Sequence, residues 1–177
     1  MIETERLTLR GWRDGDVDEF MRVTNTPAVM EYLGGVRERD YFEAAADRQR
    51  SVQETAGHCF WIVERQADRA LLGFCGLKIL GIGGEIANDI EIGWRLREDA
   101  WGRGYAREAA QASLAWGWAN LDAARIVAIT VQANQRSWGL MERLGMRRRA
   151  DLDFAHPAFA PDHPLSAHIT YSIERPI

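Results

Sequence analysis

Glu91-Ile92-Gly93-Trp94-Arg95-Leu96, then Arg97-Glu98-Asp99-Ala100, then Trp101-Gly102-Arg103-Gly104-Tyr105-Ala106: residues 91–106 run from a strand-like apolar segment through a charged turn into two glycines spaced two apart. A helix is predicted from Arg103 to Asn120, directly behind those glycines. Such a loop can turn several backbone N–H groups the same way, and the helix N-terminus adds unsatisfied donors and a positive dipole. Phosphate is the natural ligand of that arrangement. The same glycines equally suit a plain strand-to-helix turn, the usual role of G-x-G standing alone. No G-x-x-x-x-G-K-[ST] pattern occurs, and Arg107 stands where a dinucleotide fingerprint needs its third glycine. A different phosphate-bearing cofactor is expected.

Towards the N-terminus, strand-like runs at His58–Glu64 and Leu71–Leu80 precede the run at Asp89–Leu96, with the polar turn 65–69 between the first two. Together they predict an antiparallel meander. Glu5–Trp12 alternates like a half-buried strand, and Asp14 is expected to cap a helix carrying Val17, Phe20, Met21 and Thr24 until Pro27 interrupts it. A further helix is read over Tyr41–Glu54, closed by Gly57. Towards the C-terminus, the 103–120 helix presents Ala106, Ala109, Ala110, Ser113 and Trp116 on one face, small enough to lie close to a sheet. Arg125–Gln132 is an apolar, β-branched strand, followed by a helix at Gln135–Leu144 with Gly145 at its C′ position. Met146–Phe154 and Ile169–Glu174 read as closing strands around a loop containing Pro157, Pro161 and Pro164. A meander followed by strand, helix, strand and helix predicts an α/β (α+β) mixed sheet, with ligands at the C-terminal ends of its central strands.

The 177 residues, 46% hydrophobic and 27% charged, suit a single domain over 1–177. Twenty-six acidic against 22 basic residues give a net charge of −4, which argues against a nucleic-acid partner. No apolar leader and no membrane-length apolar run is present, so no membrane association is expected. Cys59 and Cys75 lie in apolar runs typical of buried free thiols, which points to a reducing, cytoplasmic setting.

Taken together, the strand at 91–96, W-G-R-G-Y-A-R-E-A at 101–109, the strand at 125–132 and N-Q-R-S-W-G-L-M-E-R-L-G-M at 134–146 resemble the GNAT superfamily of N-acetyltransferases. The opening E-T-E-R-L-T-L-R, residues 3–10, is similar to the RimJ/RimL ribosomal-protein acetyltransferase branch. The resemblance implies a mixed, mostly antiparallel sheet of six or seven strands, with helices on both faces and a splayed central cleft. It implies acetyl-CoA as acetyl donor and no metal. The pantetheine arm would bond along the main chain of Trp94 and Leu96. The pyrophosphate would sit on N–H groups of the turn formed by Gly102, Arg103, Gly104, Tyr105 and Ala106, and Asn134 would reach the pantetheine or thioester region. Arg103 and Arg107 stand either as phosphate counter-charges or as solvated surface residues. Asn134 also reads as a plain N-cap and Ser137 as a small sheet-facing residue. One departure is visible: the Arg or Gln that the superfamily carries three residues before the first glycine is Asp99 here.

Acetyl transfer to an amine needs a deprotonated amine, a donor for the oxyanion and a proton for the departing thiolate. Glu91 is the candidate base, with an exposed or ion-paired glutamate as the alternative; a main-chain N–H near Ile92 or Gly93 is the candidate oxyanion donor. Ser137 and Tyr171 are candidate acids, since the cofactor-side helix offers Ser137 and Trp138 where the superfamily often has a tyrosine. A structural role is the alternative for Tyr171. His156, His163 and His168, spaced by 7 and 5, match no zinc pattern and read as pocket lining or a surface turn. The apolar setting of both cysteines favours direct transfer over an acetyl-cysteine intermediate. Two functions from different classes follow: an active N-acetyltransferase acting on a protein N-terminus or small-molecule amine, as monomer or homodimer, and a catalytically inactive acyl-CoA-binding sensor or partner module.

Overall fold

The computed structural model describes residues 1–176. Its strands are β1 (Ile2–Glu3), β2 (Leu7–Arg10), β3 (Phe60–Arg65), β4 (Leu71–Ile79), β5 (Ile90–Leu96), β6 (Arg125–Val131), β7 (Arg147–Arg148), β8 (Phe154–Ala155) and β9 (Ala167–Glu174). They form one sheet in the order β1-β2-β3-β4-β5-β6-β9-β7, with β8 also paired to β9. Six of the nine have four or more residues, in line with the expected six or seven; β1, β7 and β8 are two-residue additions. The helices are α1 (Asp16–Thr24), α2 (Pro27–Met30), α3 (Arg39–Ala56), α4 (Tyr105–Asn120) and α5 (Gln135–Arg143).

Strands β3, β4 and β5 pair antiparallel in sequence order, as the meander predicts, and β2 joins antiparallel to β3 after the chain has passed through α1, α2 and α3. The chain then crosses through α4, so β6 returns parallel to β5. That parallel contact is short: only Ile90↔Ile126 and Glu91↔Val127 pair, although each strand has seven residues. Beyond Glu91 the sheet is forked.

Alternation along the strands divides the core. Trp61, Val63, Cys75, Leu77, Ile92 and Leu96 pack beneath Ala109, Ala110 and Leu114 of α4 and Met141 of α5. On the opposite face, Ile62 and Phe74 meet Val17, Phe20 and Val23 of α1 and Phe42 and Ala46 of α3. The small face of α4 permits its close seat: a Cβ on Gly117 would come within 2.6 Å of Leu77 Cδ1. A buried ion cluster ties α1 to the sheet, Arg10 bonding Asp16 at 2.7 Å and Glu64 at 3.0 Å.

Two expectations need correction. Asp14 does not cap α1; Gly15 holds the cap position, while Asp16 accepts the Arg13 N–H at 2.6 Å and anchors Arg10. Nor is Met146–Phe154 one strand. Of that segment only the two-residue strands β7 and β8 pair with β9, because a 3₁₀ turn at Ala150–Leu152 intervenes. There the Thr170 N–H bonds the Asp153 carboxylate at 2.9 Å and the Thr170 hydroxyl bonds the Leu152 carbonyl at 2.8 Å.

Candidate active site

The fork exposes main chain in a definite phase. Leu80 N–H bonds Asp89 O at 3.0 Å and Arg97 N–H bonds Leu72 O at 2.7 Å, so Glu91, Gly93 and Arg95 are the residues of β5 that bond β4. Ile90, Ile92, Trp94 and Leu96 turn their N–H and C=O groups towards β6. The last parallel pair, Glu91↔Val127, engages Ile92, and Trp94 is the first residue past it. No strand distortion frees a donor at Ile92 or Gly93, since β4 and β5 stay in register over seven consecutive pairs. Trp94 therefore replaces both as the first N–H directed into the fork. The Leu96 carbonyl is occupied by the Trp101 indole at 2.8 Å, which leaves its N–H on that edge.

The glycine turn closes the open end. Gly102 and Gly104 adopt φ of +71° and +82°, a region that residues with a Cβ rarely enter. Gly104 caps α4 without any side-chain bond, and Glu108 N–H is the first to bond back, to Gly104 O at 3.0 Å. The N–H groups of Tyr105 and Ala106 thus lie in the unsatisfied first turn. Arg103 and Arg107 are exposed. Asp99 is 66% exposed and held by Arg97 at 2.5 Å, pointing away from any phosphate role.

A latch absent from the sequence reading secures this turn from outside. Thr4 Oγ1 and the Arg6 N–H bond Glu108 Oε1 at 2.6 and 2.9 Å, and Arg6 Nε bonds Glu108 Oε2 at 2.7 Å. Arg6 also reaches Arg103 O at 3.1 Å and lies 4.6 Å over the Tyr105 ring. Burial alone would raise the Glu108 carboxyl, but the bonds from Thr4 and Arg6 outweigh it and hold the group below its ordinary value. Across the mouth, Arg136 of α5 stacks on Trp101 at 4.7 Å.

Glu91, where the fork begins, faces Lys78 across the β4–β5 ladder, with Nζ and Oε2 2.6 Å apart and side chains 13% and 25% exposed. Burial raises the Glu91 carboxyl above its ordinary value against the opposing pull of Lys78. The ion-paired alternative is thus realised, at the point where the fork begins.

Asn134 caps α5: its Oδ1 accepts the Ser137 N–H at 3.3 Å, and its Nδ2 donates to Thr130 Oγ1 at 3.0 Å. Ser137 lies in the first turn of α5. Tyr171 is elsewhere. It sits on β9 opposite Ala128, beyond β6 from β5, and its hydroxyl donates to Glu142 at 3.3 Å. Burial, then Glu142, raises its pKa. That bond ties the Tyr171 hydroxyl, expected as a candidate thiolate acid, to the last turn of α5 rather than to its start.

His156 and His168 meet at a tilt with centroids 4.7 Å apart, and Phe159 lies tilted to His156 at 5.5 Å and stacked on His163 at 4.9 Å, so the histidine loop is an aromatic cluster. Among the described residues no group of three or more His, Cys, Asp or Glu is placed to hold a metal ion. Cys59 and Cys75 are free and buried, and burial pushes both thiols up to about 12. Neither is a nucleophile at neutral pH.

The family model described as acetyltransferase (GNAT) domain matches residues 6–147. Protein YkkB of Bacillus subtilis is 30% identical over 146 residues, covering 82% of this chain and 84% of its own. A GNAT-family acetyltransferase structure from Bacillus anthracis is similar with a TM-score of 0.79 and 26% identity over 98% of both chains. The spermidine N-acetyltransferase of Vibrio cholerae, solved with CoA and spermine, shares the fold at a TM-score of 0.72 and 19% identity over 97% of both chains. These likenesses give no support to the catalytically inactive alternative.

Proposed function

This chain belongs to the GNAT acetyltransferase family and is an acetyl-CoA-dependent acetyltransferase, and we propose that it passes acetyl directly to a primary amine, on a protein N-terminus or a small molecule, at the β5–β6 fork. The observation that carries this reading is the fork itself, which begins at Glu91 and ends at the Gly102–Gly104 turn. Bound there, acetyl-CoA supplies an activated thioester. The N–H groups of the turn, from Gly102 to Ala106, face the pyrophosphate, which only a backbone free of Cβ at Gly102 and Gly104 lets approach. Trp94 and Leu96 hold the pantetheine arm as an added strand edge. The Trp94 N–H, first past the fork, stabilises the developing oxyanion.

Glu91 accepts a proton from the acceptor ammonium, directly or through water, and the burial that raises its carboxyl above the ordinary value makes it a stronger base. Ser137, at the start of α5, donates a proton to the departing thiolate, with Asn134 holding the helix end in place. Both cysteines are too buried and too basic to carry the acetyl group, in keeping with direct transfer. The opening residues 3–10 support a RimJ/RimL-like placement, and the free buried thiols support a cytoplasmic setting. The whole of 1–177 acts as one domain in this reading.

The test is thiol release from acetyl-CoA with a panel of primary amines, beside calorimetry with acetyl-CoA, CoA, NAD and ATP. CoA compounds bind and amine-dependent release is seen. Heat with NAD and none with CoA contradicts the reading.

A further inference from the structure

The face of β5 that carries Glu91 has a second charged end. Arg95 lies on the same side of the strand, four residues along, at about 13 Å. Between them Phe60 covers Gly93, where a Cβ would come within 2.6 Å of the ring. Phe60 stacks on Phe74 at 5.0 Å. Lys78 Nζ lies 5.3 Å from the Phe60 ring and the Arg95 guanidinium 5.3 Å from the Phe74 ring. An aromatic pair is thus bracketed by two cations.

The two cations differ in their partners. Lys78 is matched by Glu91. Arg95 has a buried Nε with no hydrogen-bond partner, and its Nη2 makes only a long contact, 3.4 Å, to the Tyr41 hydroxyl. The acids of the covering helix are committed elsewhere: Asp16 to Arg10, Asp18 to Arg39 and Glu19 to Arg22. Arg37 lies 5.8 Å from the same Tyr41 ring, and its guanidinium bonds the Leu33 carbonyl at 3.4 Å. A partly buried guanidinium without an anion is costly, and a carboxylate with bidentate geometry relieves that cost.

We propose that Arg95, flanked by Tyr41 and Arg37, recognises a carboxylate on the amine acceptor. This rests on the reading of Glu91 as the reacting end. The separation of about 13 Å between the two positions, less the reach of their side chains, corresponds to a few residues of extended chain. The acceptor class is therefore a short peptide or chain N-terminus with a carboxylate a few residues from its amine. A polyamine, by contrast, meets Lys78, Arg95 and Arg37, and the acid of β5 on that face, Glu91, is already paired.

The experiment measures CoA release with matched peptides that carry Asp or Asn as the third residue, and with spermine. The wild-type chain is expected to use the Asp peptide at least tenfold better in kcat/KM than the Asn peptide, and better than spermine. Arg95→Gln is expected to bring the Asp/Asn ratio below threefold through KM for the Asp peptide, with the acetyl-CoA Kd unchanged, and Arg95→Lys to restore part of it. Equal use of both peptides by the wild-type chain overturns the proposal without needing any variant to fold. So does an equal loss on both peptides in Arg95→Gln, or a rise in the acetyl-CoA Kd, which assigns Arg95 to the cofactor. Acetylation indifferent to peptide charge leaves the transferase reading standing, whereas no CoA release with any amine overturns both.

Discussion

The edge and the face of β5 are built from different materials. Along the edge, beyond Glu91, the groups on offer are the main-chain N–H and C=O of Trp94 and the N–H of Leu96, continued by the N–H groups of the glycine turn. On the α1/α3 face they are side chains, the Glu91–Lys78 pair at one end and Arg95 at the other. A backbone site depends on conformation and tolerates most side-chain changes except those that add a Cβ at a positive φ. A side-chain site depends on register and on charge, so single substitutions there act on chemistry. The same strand can therefore keep one donor while its acceptor changes.

The sharpest way to break this contrast is Glu91→Gln. As a lost general base it should lower kcat/KM by at least about 100-fold at neutral pH. The loss should shrink as rising pH supplies free amine, while acetyl-CoA affinity is retained. Parallel pH–rate profiles offset by less than threefold would remove Glu91 from the mechanism and leave the edge untouched. Gly104→Val attacks the other material. With φ at +82° a branched side chain strains the turn and crowds the phosphate approach. Acetyl-CoA affinity should fall more than tenfold, about 1.4 kcal/mol, with acceptor KM little changed. Unchanged affinity by calorimetry would mean that the phosphates lie elsewhere.

Lys78→Met sharpens the face alone. Lys78 opposes the burial that raises the Glu91 carboxyl, so its loss should let that pKa rise further. A base must be deprotonated to work, and the acid limb of the kcat/KM profile should accordingly move to higher pH. Activity at pH 6 should fall more than at pH 8; a shift to lower pH would contradict the pairing. The smallest effect belongs to Tyr171→Phe. The hydroxyl is bound to Glu142, and its removal should cost about 1 kcal/mol of stability while kcat changes less than threefold. A large kcat loss without destabilisation would return Tyr171 to the site.

The contrast also explains what the sequence disclosed. The glycine turn, the meander and the crossover helix are local patterns, and Gly102, Gly104 and the apolar runs on either side carry them in a single stretch. The crossover accounts for the parallel run of β5 and β6, whereas their brief pairing is implied by the family resemblance alone. Side-chain partnerships across sequence distance were not legible. Lys78 meets Glu91 only through the β4–β5 register, and Thr4 and Arg6 meet Glu108 some 100 residues away. Tyr171 read as a candidate acid by residue type, and only its place on β9 turns it to Glu142. Asp14 failed as a cap because its neighbour Asp16 is drawn into the buried cluster with Arg10, a pairing no local pattern announces. The strand expected through Met146–Phe154 broke where Asp153 and the Leu152 carbonyl satisfy Thr170 in place of a ladder.

Amide hydrogen exchange with and without acetyl-CoA tests the central claim most directly, because it reads the N–H groups on which the cofactor assignment rests. Slowed exchange is expected at Trp94, Leu96, Tyr105 and Ala106. Gly93 and Arg95, whose N–H groups already bond β4, should change little. Protection that skips the fork and the turn, or falls instead on the β9 side around Tyr171, would contradict the account.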